Sequence, residues 1–226
     1  VAVLKEVNAK LLLAPSSDES TLIELVAQAD AILTCFAHVT ESVIRAGNKL
    51  QVIGRYGIGV DNIDVSTATS LEIPVTYVPA YCVDEVAEHT LGFVLSLARK
   101  IALYDHAVRQ GSWNLQDGLP IHRVRGKTLG LIGFGRIGQV VAQKATGFGM
   151  NVTFYDPDAS VKNVVDKELA NAVSLKKLIT ESDFISLHAP LTESTRTLVN
   201  ADFMRAMKSS ACLVNCARGG LIDHDA

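Results

Sequence analysis

TLGLIGFGRIG, residues 128–138, is the stretch whose reading decides the fold of this chain. TLGLI is an apolar run of strand length, and RIGQVVAQKATGF after it has helical periodicity. Between them Gly133, Gly135 and Gly138 stand at G-x-G-x-x-G spacing. Each glycine has its own physical reason. Gly133 permits the tight turn, Gly135 lets backbone approach a pyrophosphate, and Gly138 lets helix and strand pack closely. The helix N-terminus adds unpaired N–H groups and the positive end of a dipole.

Alone, that spacing is weak evidence; its surroundings strengthen it. NVTFY (151–155) reads as a second strand, and Asp156 follows Gly138 by eighteen residues. An acid there accepts hydrogen bonds from ribose hydroxyls and repels a 2′-phosphate, which points to NAD rather than NADP. Further on, SLKKLITES reads as a helix, DFISLH (183–188) as a strand, ADFMRAM as a helix and ACLVN (211–215) as a strand. Residues 80–226 therefore read as a Rossmann-type NAD-binding domain with a parallel sheet.

Upstream the same alternation occurs on a smaller scale. KLLLA (10–14), DAILT (30–34), LQVIG (50–54) and IPVTYV (73–78) are strand-like. TLIELVAQA, VTESVIRAG and DVSTATSLE are helical, the last with Asp64 as its expected N-cap. Residues 1–79 thus form a smaller α/β domain, and the chain as a whole is a two-domain α/β protein. Residues 83–109 read as one long helix whose middle, TLGFVLSLA, is apolar almost all round.

Composition sets bounds on partners. The chain has 226 residues, 48% hydrophobic and 20% charged, with a net charge of -3. Such a balance, with no basic block, argues against nucleic acid or an anionic membrane as the main partner. No apolar run reaches the roughly 18 to 20 residues that span a bilayer. Cys35, Cys82, Cys212 and Cys216 form no C-x-x-C pair and no zinc spacing, so no metal is expected and a reducing cytoplasm is. Cys212 and Cys216, flanking one strand, read as small buried hydrophobes.

The chain closes on LVNCARGGLIDHDA (213–226), an apolar strand that ends in Arg218 and two glycines. With GRYGIGVDNIDV, AYCVDEVAEHTLGFVLSLAR, GKTLGLIGFGRIGQ, FYDP and SLHAPLTEST, in this order, it resembles the D-isomer-specific 2-hydroxyacid dehydrogenases over essentially the whole chain. The likeness is strongest to the phosphoglycerate dehydrogenase and C-terminal-binding-protein-like branch. It implies a flavodoxin-like substrate domain beside the NAD domain, with hydride passing between NAD(H) and a small 2-hydroxy or 2-oxo acid. A homodimer through the helix at 83–109 is also implied.

The resemblance carries over residue by residue. Tyr56, Gly57, Ile58 and Gly59 would present backbone N–H groups to the substrate carboxylate, with Ile58 also near the nicotinamide ribose. Arg136 and Ile137 would meet the pyrophosphate, and Asp156 the ribose. Ala189 and Pro190 would line the adenosine side. Thr90, Cys216 and Ala217 would approach the nicotinamide. Arg218 is the catalytic candidate, because a planar guanidinium pairs a carboxylate bidentately, stays charged and polarises a carbonyl.

Set against that resemblance, the chain lacks a first strand at its N-terminus. It also stops before the histidine and glutamate that follow the arginine in the family. His38, His89, His106, His122, His188 and His224 offer no replacement by position. The expectation is a chain that holds NAD and orients an acid without completing proton transfer. Thr34 stands where phosphoglycerate dehydrogenases carry a phosphate-binding arginine, which leaves glyoxylate and hydroxypyruvate open beside 3-phosphoglycerate. The competing reading is an NAD-sensing co-repressor that does not depend on catalysis.

Overall fold

A computed structural model describes residues 4, 6–158, 160 and 169–226. The chain divides into two compact units, Val1–Tyr81 and Cys82–Ala226.

The first unit carries α1 (Glu19–Val26), β1 (Ala31–Thr34), α2 (Glu41–Ala46), β2 (Val52–Arg55), α3 (Val65–Ser70) and β3 (Val75–Tyr77). The strands pair in parallel in the order β1-β2-β3. Helix starts are set by side-chain caps. Thr40 accepts from Val43 N, and Asp64, the expected N-cap, accepts from Thr67 N at 2.9 Å. A core of Val26, Val39, Val43, Ile44, Ile53 and Ala68 holds the helices on the sheet.

Residues 10–14, expected as a strand, join no sheet among the described residues. Leu11, Leu12 and Leu13 are 42%, 45% and 80% exposed. A strand exists through a neighbour's N–H and C=O groups, and the apolar run finds none here.

In the second unit come α4 (Val83–Arg99), α5 (Ile101–Arg109), β4 (Thr128–Ile132), α6 (Arg136–Gly147), β5 (Asn151–Tyr155), β6 (Asn171–Ala172), α7 (Leu175–Glu181), β7 (Phe184–Leu187), α8 (Ala201–Ala206) and β8 (Cys212–Asn215). Its five strands are all parallel, in the order β6-β5-β4-β7-β8. From β4 the chain first builds outward through β5 and β6, then crosses back to lay β7 on the other flank of β4. That reversal makes the carboxyl ends of β4 and β7 a topological switch point, where open α/β sheets bind ligands. β4 is the apolar spine, with Leu129 and Leu131 wholly buried between the two faces.

The single helix expected over 83–109 is two helices. Lys100 takes a left-handed conformation, φ +57°, and ends α4. The Ala98 carbonyl, released from the helical ladder, accepts from His122 N at 3.1 Å instead. α4 buries Ala87, Thr90, Leu91, Val94 and Ala98, whereas α5 buries nothing. No helix among the described residues is long and apolar enough to cross a membrane.

Candidate functional site

The turn between β4 and α6 separates the roles of its glycines. Gly133 has φ +91°, and a Cβ there would lie 2.7 Å from the carbonyl carbon and oxygen of His188. At Gly138 a Cβ would lie 2.6 Å from Gly133 O, so these two positions are glycine because the protein fills the space. Gly135 differs. It is exposed, has an ordinary φ of -70°, and a Cβ there would meet nothing within 4 Å. No contact within the protein demands a glycine at the mouth of α6, and a phosphate has room to approach the backbone there.

α6 starts at Gly135 with no side-chain cap. A helix start of this kind favours an anion in front of its first turn. Ile137 packs against the core below, and Arg136 lies exposed beside the turn. The cradle fits a dinucleotide pyrophosphate.

Asp156, at the end of β5, does more than the sequence indicated. Its Oδ2 accepts from Phe134 N at 2.8 Å and its Oδ1 from Asp158 N at 2.9 Å. The carboxylate thus ties the glycine turn to the next strand. Each oxygen keeps a lone pair for a ribose hydroxyl.

At the end of β7, His188 N donates to Ile132 O at 2.7 Å, extending the ladder up to Gly133. Its Nε2 lies 2.9 Å from Ser186 Oγ, and burial pushes the imidazole pKa down to about 4, so the ring is neutral. Ala189 and Pro190 follow directly, beside the glycine turn, where Thr195 Oγ1 donates to Pro190 O at 2.7 Å.

At the end of β8 the turn that carries Arg218 is organised by Asn215. Its Oδ1 accepts from Ala217 N at 3.0 Å and its Nδ2 donates to Arg218 O at 2.9 Å. Nothing in the sequence pattern singles out Asn215. A cavity of about 540 Å³ opens beside it, lined by Glu85, Val86, His89, Phe93, Asn215 and Cys216. Cys216 and Cys212 are half-buried rather than fully buried, and both pack on the core.

Thr90 is 0% exposed, and its Oγ1 donates to Val86 O at 2.8 Å. It packs within α4. No cluster of three or more His, Cys, Asp or Glu able to hold a metal ion occurs among the described residues.

In the first unit, residues 56–59 leave the carboxyl end of β2. The N–H of Tyr56 is committed to Thr34 O at 3.1 Å, and Gly57 O accepts from Val78 N at 3.0 Å. Gly57, Ile58 and Gly59 make no backbone hydrogen bond through their own N–H groups among the described residues. Asn62 Nδ2 donates to Ala37 O at 2.8 Å and fastens the loop to the segment after β1.

Arg55, the second residue of GRYGIGVD, lies directly beneath. A Cβ at Gly57 would lie 1.1 Å from Arg55 Nη1, so the guanidinium occupies the place of the missing side chain. Arg55 Nε is buried with no hydrogen-bond partner. An unsatisfied buried donor costs about 1–3 kcal/mol, so the fold holds this side chain beside the loop at a cost. The signal was in GRYG, a cation two residues before a glycine at a strand end.

A parallel sheet with an uncapped glycine turn at its switch point and an acid closing the next strand defines a Rossmann-type dinucleotide-binding domain. Comparison with known proteins makes this specific. Residues 91–226 match the NAD-binding domain of the D-isomer specific 2-hydroxyacid dehydrogenases, and the chain belongs to that family. It is 42% identical over 210 residues to a hydroxypyruvate reductase of Thermotoga maritima, covering 92% of this chain and 67% of that protein. To a D-3-phosphoglycerate dehydrogenase of Methanocaldococcus jannaschii it is 39% identical, covering all of this chain but 43% of that one. Among solved structures, an NAD-dependent formate dehydrogenase from Staphylococcus aureus in complex with NAD superposes with TM-score 0.91 at 32% identity, covering 99% of this chain and 67% of that one.

Proposed function

We propose that the whole protein is an NAD-dependent D-2-hydroxyacid dehydrogenase acting on a small 2-hydroxy or 2-oxo acid. One observation carries the reading. The glycine turn after β4 and Arg218 after β8 both stand at the carboxyl edge of the same five-stranded parallel sheet. When bound, NADH supplies the hydride. The turn 133–138 holds the pyrophosphate, Asp156 the ribose, and Ala189 and Pro190 the adenosine side. Cys216 and Ala217 face the nicotinamide.

Arg218 pairs the substrate carboxylate and stabilises the charge that develops on the carbonyl oxygen during reduction. Within the first unit, the N–H groups of Gly57, Ile58 and Gly59, with the Arg55 guanidinium beneath them, suit a carboxylate oxygen. Hydroxypyruvate, glyoxylate and phosphoglycerate-like acids fit, as the relatives' names support. Thr34, which donates to Ala37 O, brings no cation to the mouth of β1 and favours the unphosphorylated acids.

Two further assignments belong to this reading. The protein forms a homodimer through the helical stretch 83–109, α4 and α5, where Phe93, Ile101 and Val108 are 45%, 55% and 49% exposed. It works in the cytoplasm, in keeping with four unpaired cysteines.

The test is a panel of glyoxylate, hydroxypyruvate, pyruvate and phosphohydroxypyruvate, offered with NADH to the whole protein. Turnover of at least one is expected, and Arg218→Ala should lower kcat/KM on the order of a thousandfold. A protein that binds NADH but reduces no 2-oxo acid overturns the assignment and returns the co-repressor reading.

A further inference from the structure

Two loops at the carboxyl edge of the five-stranded sheet are sewn together by backbone hydrogen bonds. At the point where they meet, Thr197 has φ +49°, a left-handed conformation that is an outlier for a β-branched side chain. Strain of that kind persists where the surroundings over-determine it, and it gathers at functional sites. The turn places Thr197 N 2.9 Å from Gly220 O, and two residues on, Val199 N 3.0 Å from Leu221 O. Asp223 N returns the bond to Val199 O at 2.9 Å, and Val199 bridges Ile222 in parallel.

The strap 197–199 therefore grips the turn that follows Arg218 from outside. Asn215 Nδ2 and Leu221 N hold Arg218 O from inside, at 2.9 and 3.2 Å. Packing is close as well. A Cβ at Gly220 would lie 3.1 Å from Leu191 Cδ2 and 3.6 Å from Arg196 Nη1. Upstream, the segment is knotted on itself, since Thr192 N donates to Thr195 Oγ1 at 2.8 Å and Arg196 N to Thr192 O at 2.9 Å.

We propose that Thr197 is a positioning residue for the carboxylate clamp: its left-handed turn docks residues 197–199 on 220–222 and so fixes the segment that carries Arg218. The proposal rests on the reading of Arg218 above. A guanidinium at the end of a flexible side chain clamps a carboxylate only if its backbone is held. The strap supplies that hold from the loop that also carries Ala189 and Pro190.

The test uses the full chain, with NADH binding followed by titration and oxamate, a carboxylate analogue of a 2-oxo acid, titrated into the NADH complex. Thr197→Gly keeps both the N–H and the left-handed turn and should behave as the unaltered chain does. Thr197→Pro removes the N–H and forbids positive φ. It should bind NADH normally yet lose oxamate affinity on the order of tenfold to a hundredfold, the scale of an about 1 Å misplacement. A residue that merely supports the fold would lower the thermal midpoint or NADH affinity without this selective loss.

Should Thr197→Pro fail to fold, Gly220→Val crowds Leu191 and Arg196 at the base of the strap, and the same selective loss is expected. Unchanged oxamate affinity in the folded variant overturns the proposal. Arg218→Ala run in parallel separates the two ideas. If it abolishes oxamate binding while the strap variants do not, only the strap is wrong; if it too has no effect, the reading of Arg218 fails and the strap proposal falls with it.

Discussion

GRYGIG of the first unit and GFGRIG of the other unit resemble versions of one device: a parallel strand, then glycines, then a turn. They are filled differently. At Gly57 the absent side chain is replaced by the protein's own Arg55 guanidinium, and at Gly133 by the backbone of His188 and Ala189. At Gly135 nothing of the protein takes the place. A glycine whose space is taken by backbone is there for the fold. One whose space is taken by a movable cation is there to seat that cation. One facing open space leaves room for a ligand where, as at Gly135, it stands at a helix start on the carboxyl edge of the sheet. The three cases rank the substitutions that would break the comparison.

The largest effect belongs to Gly133. Gly133→Ala meets two backbone atoms at 2.7 Å and keeps φ at +91°, so neither the turn nor β7 can yield cheaply. A loss of about 3 kcal/mol or more is expected, read as a lower urea midpoint. A midpoint within error of the original would show that the turn is softer than its geometry implies. Gly135→Val tests the opposite property. With φ at -70° and open space around it, stability should stay within about 0.5 kcal/mol. NADH affinity should fall on the order of tenfold to a hundredfold, or about 1.4–2.8 kcal/mol. Lost stability with intact affinity would reverse the roles given to the two glycines.

How far the sequence carried the fold follows from the same physics. β4 and β5 were legible to the residue, because a buried parallel strand is a short apolar run with turn residues at its ends. Asp64 as a cap was legible because an acid before a helix has one strong local use. Residues 10–14 have a strand's composition without a strand's partner, since pairing depends on a neighbour that no local pattern reports. The break at Lys100 was also invisible, because the apolar pattern runs through it and the Ala98 carbonyl is claimed by His122, a residue far along the chain. In the candidate site, the residues that the sequence could name were those carried by contiguous motifs. The roles of Arg55, Asn215 and Thr197 were hidden because each acts through geometry: a guanidinium folded back on a glycine, an amide spanning a turn, and a positive φ.

The smallest effect, and the most discriminating, concerns Gly57. A methyl group at Gly57 would lie 1.1 Å from Arg55 Nη1, but the clash is with the far end of a flexible side chain. The guanidinium can swing away, so Gly57→Ala should cost little stability. What it should cost is anion binding. Oxamate affinity in the NADH complex should fall several-fold, about 1 kcal/mol, the order of one ordinary hydrogen bond, with NADH affinity unchanged. Arg55→Met should give a similar loss by removing the charge outright. Because both changes act on one cation, their effects should not add: Gly57→Ala in the Arg55→Met background should have almost no further effect. Additive losses would mean that the methyl group at Gly57 disturbs the loop's N–H groups independently of Arg55, and the glycine would then not be there to seat the cation.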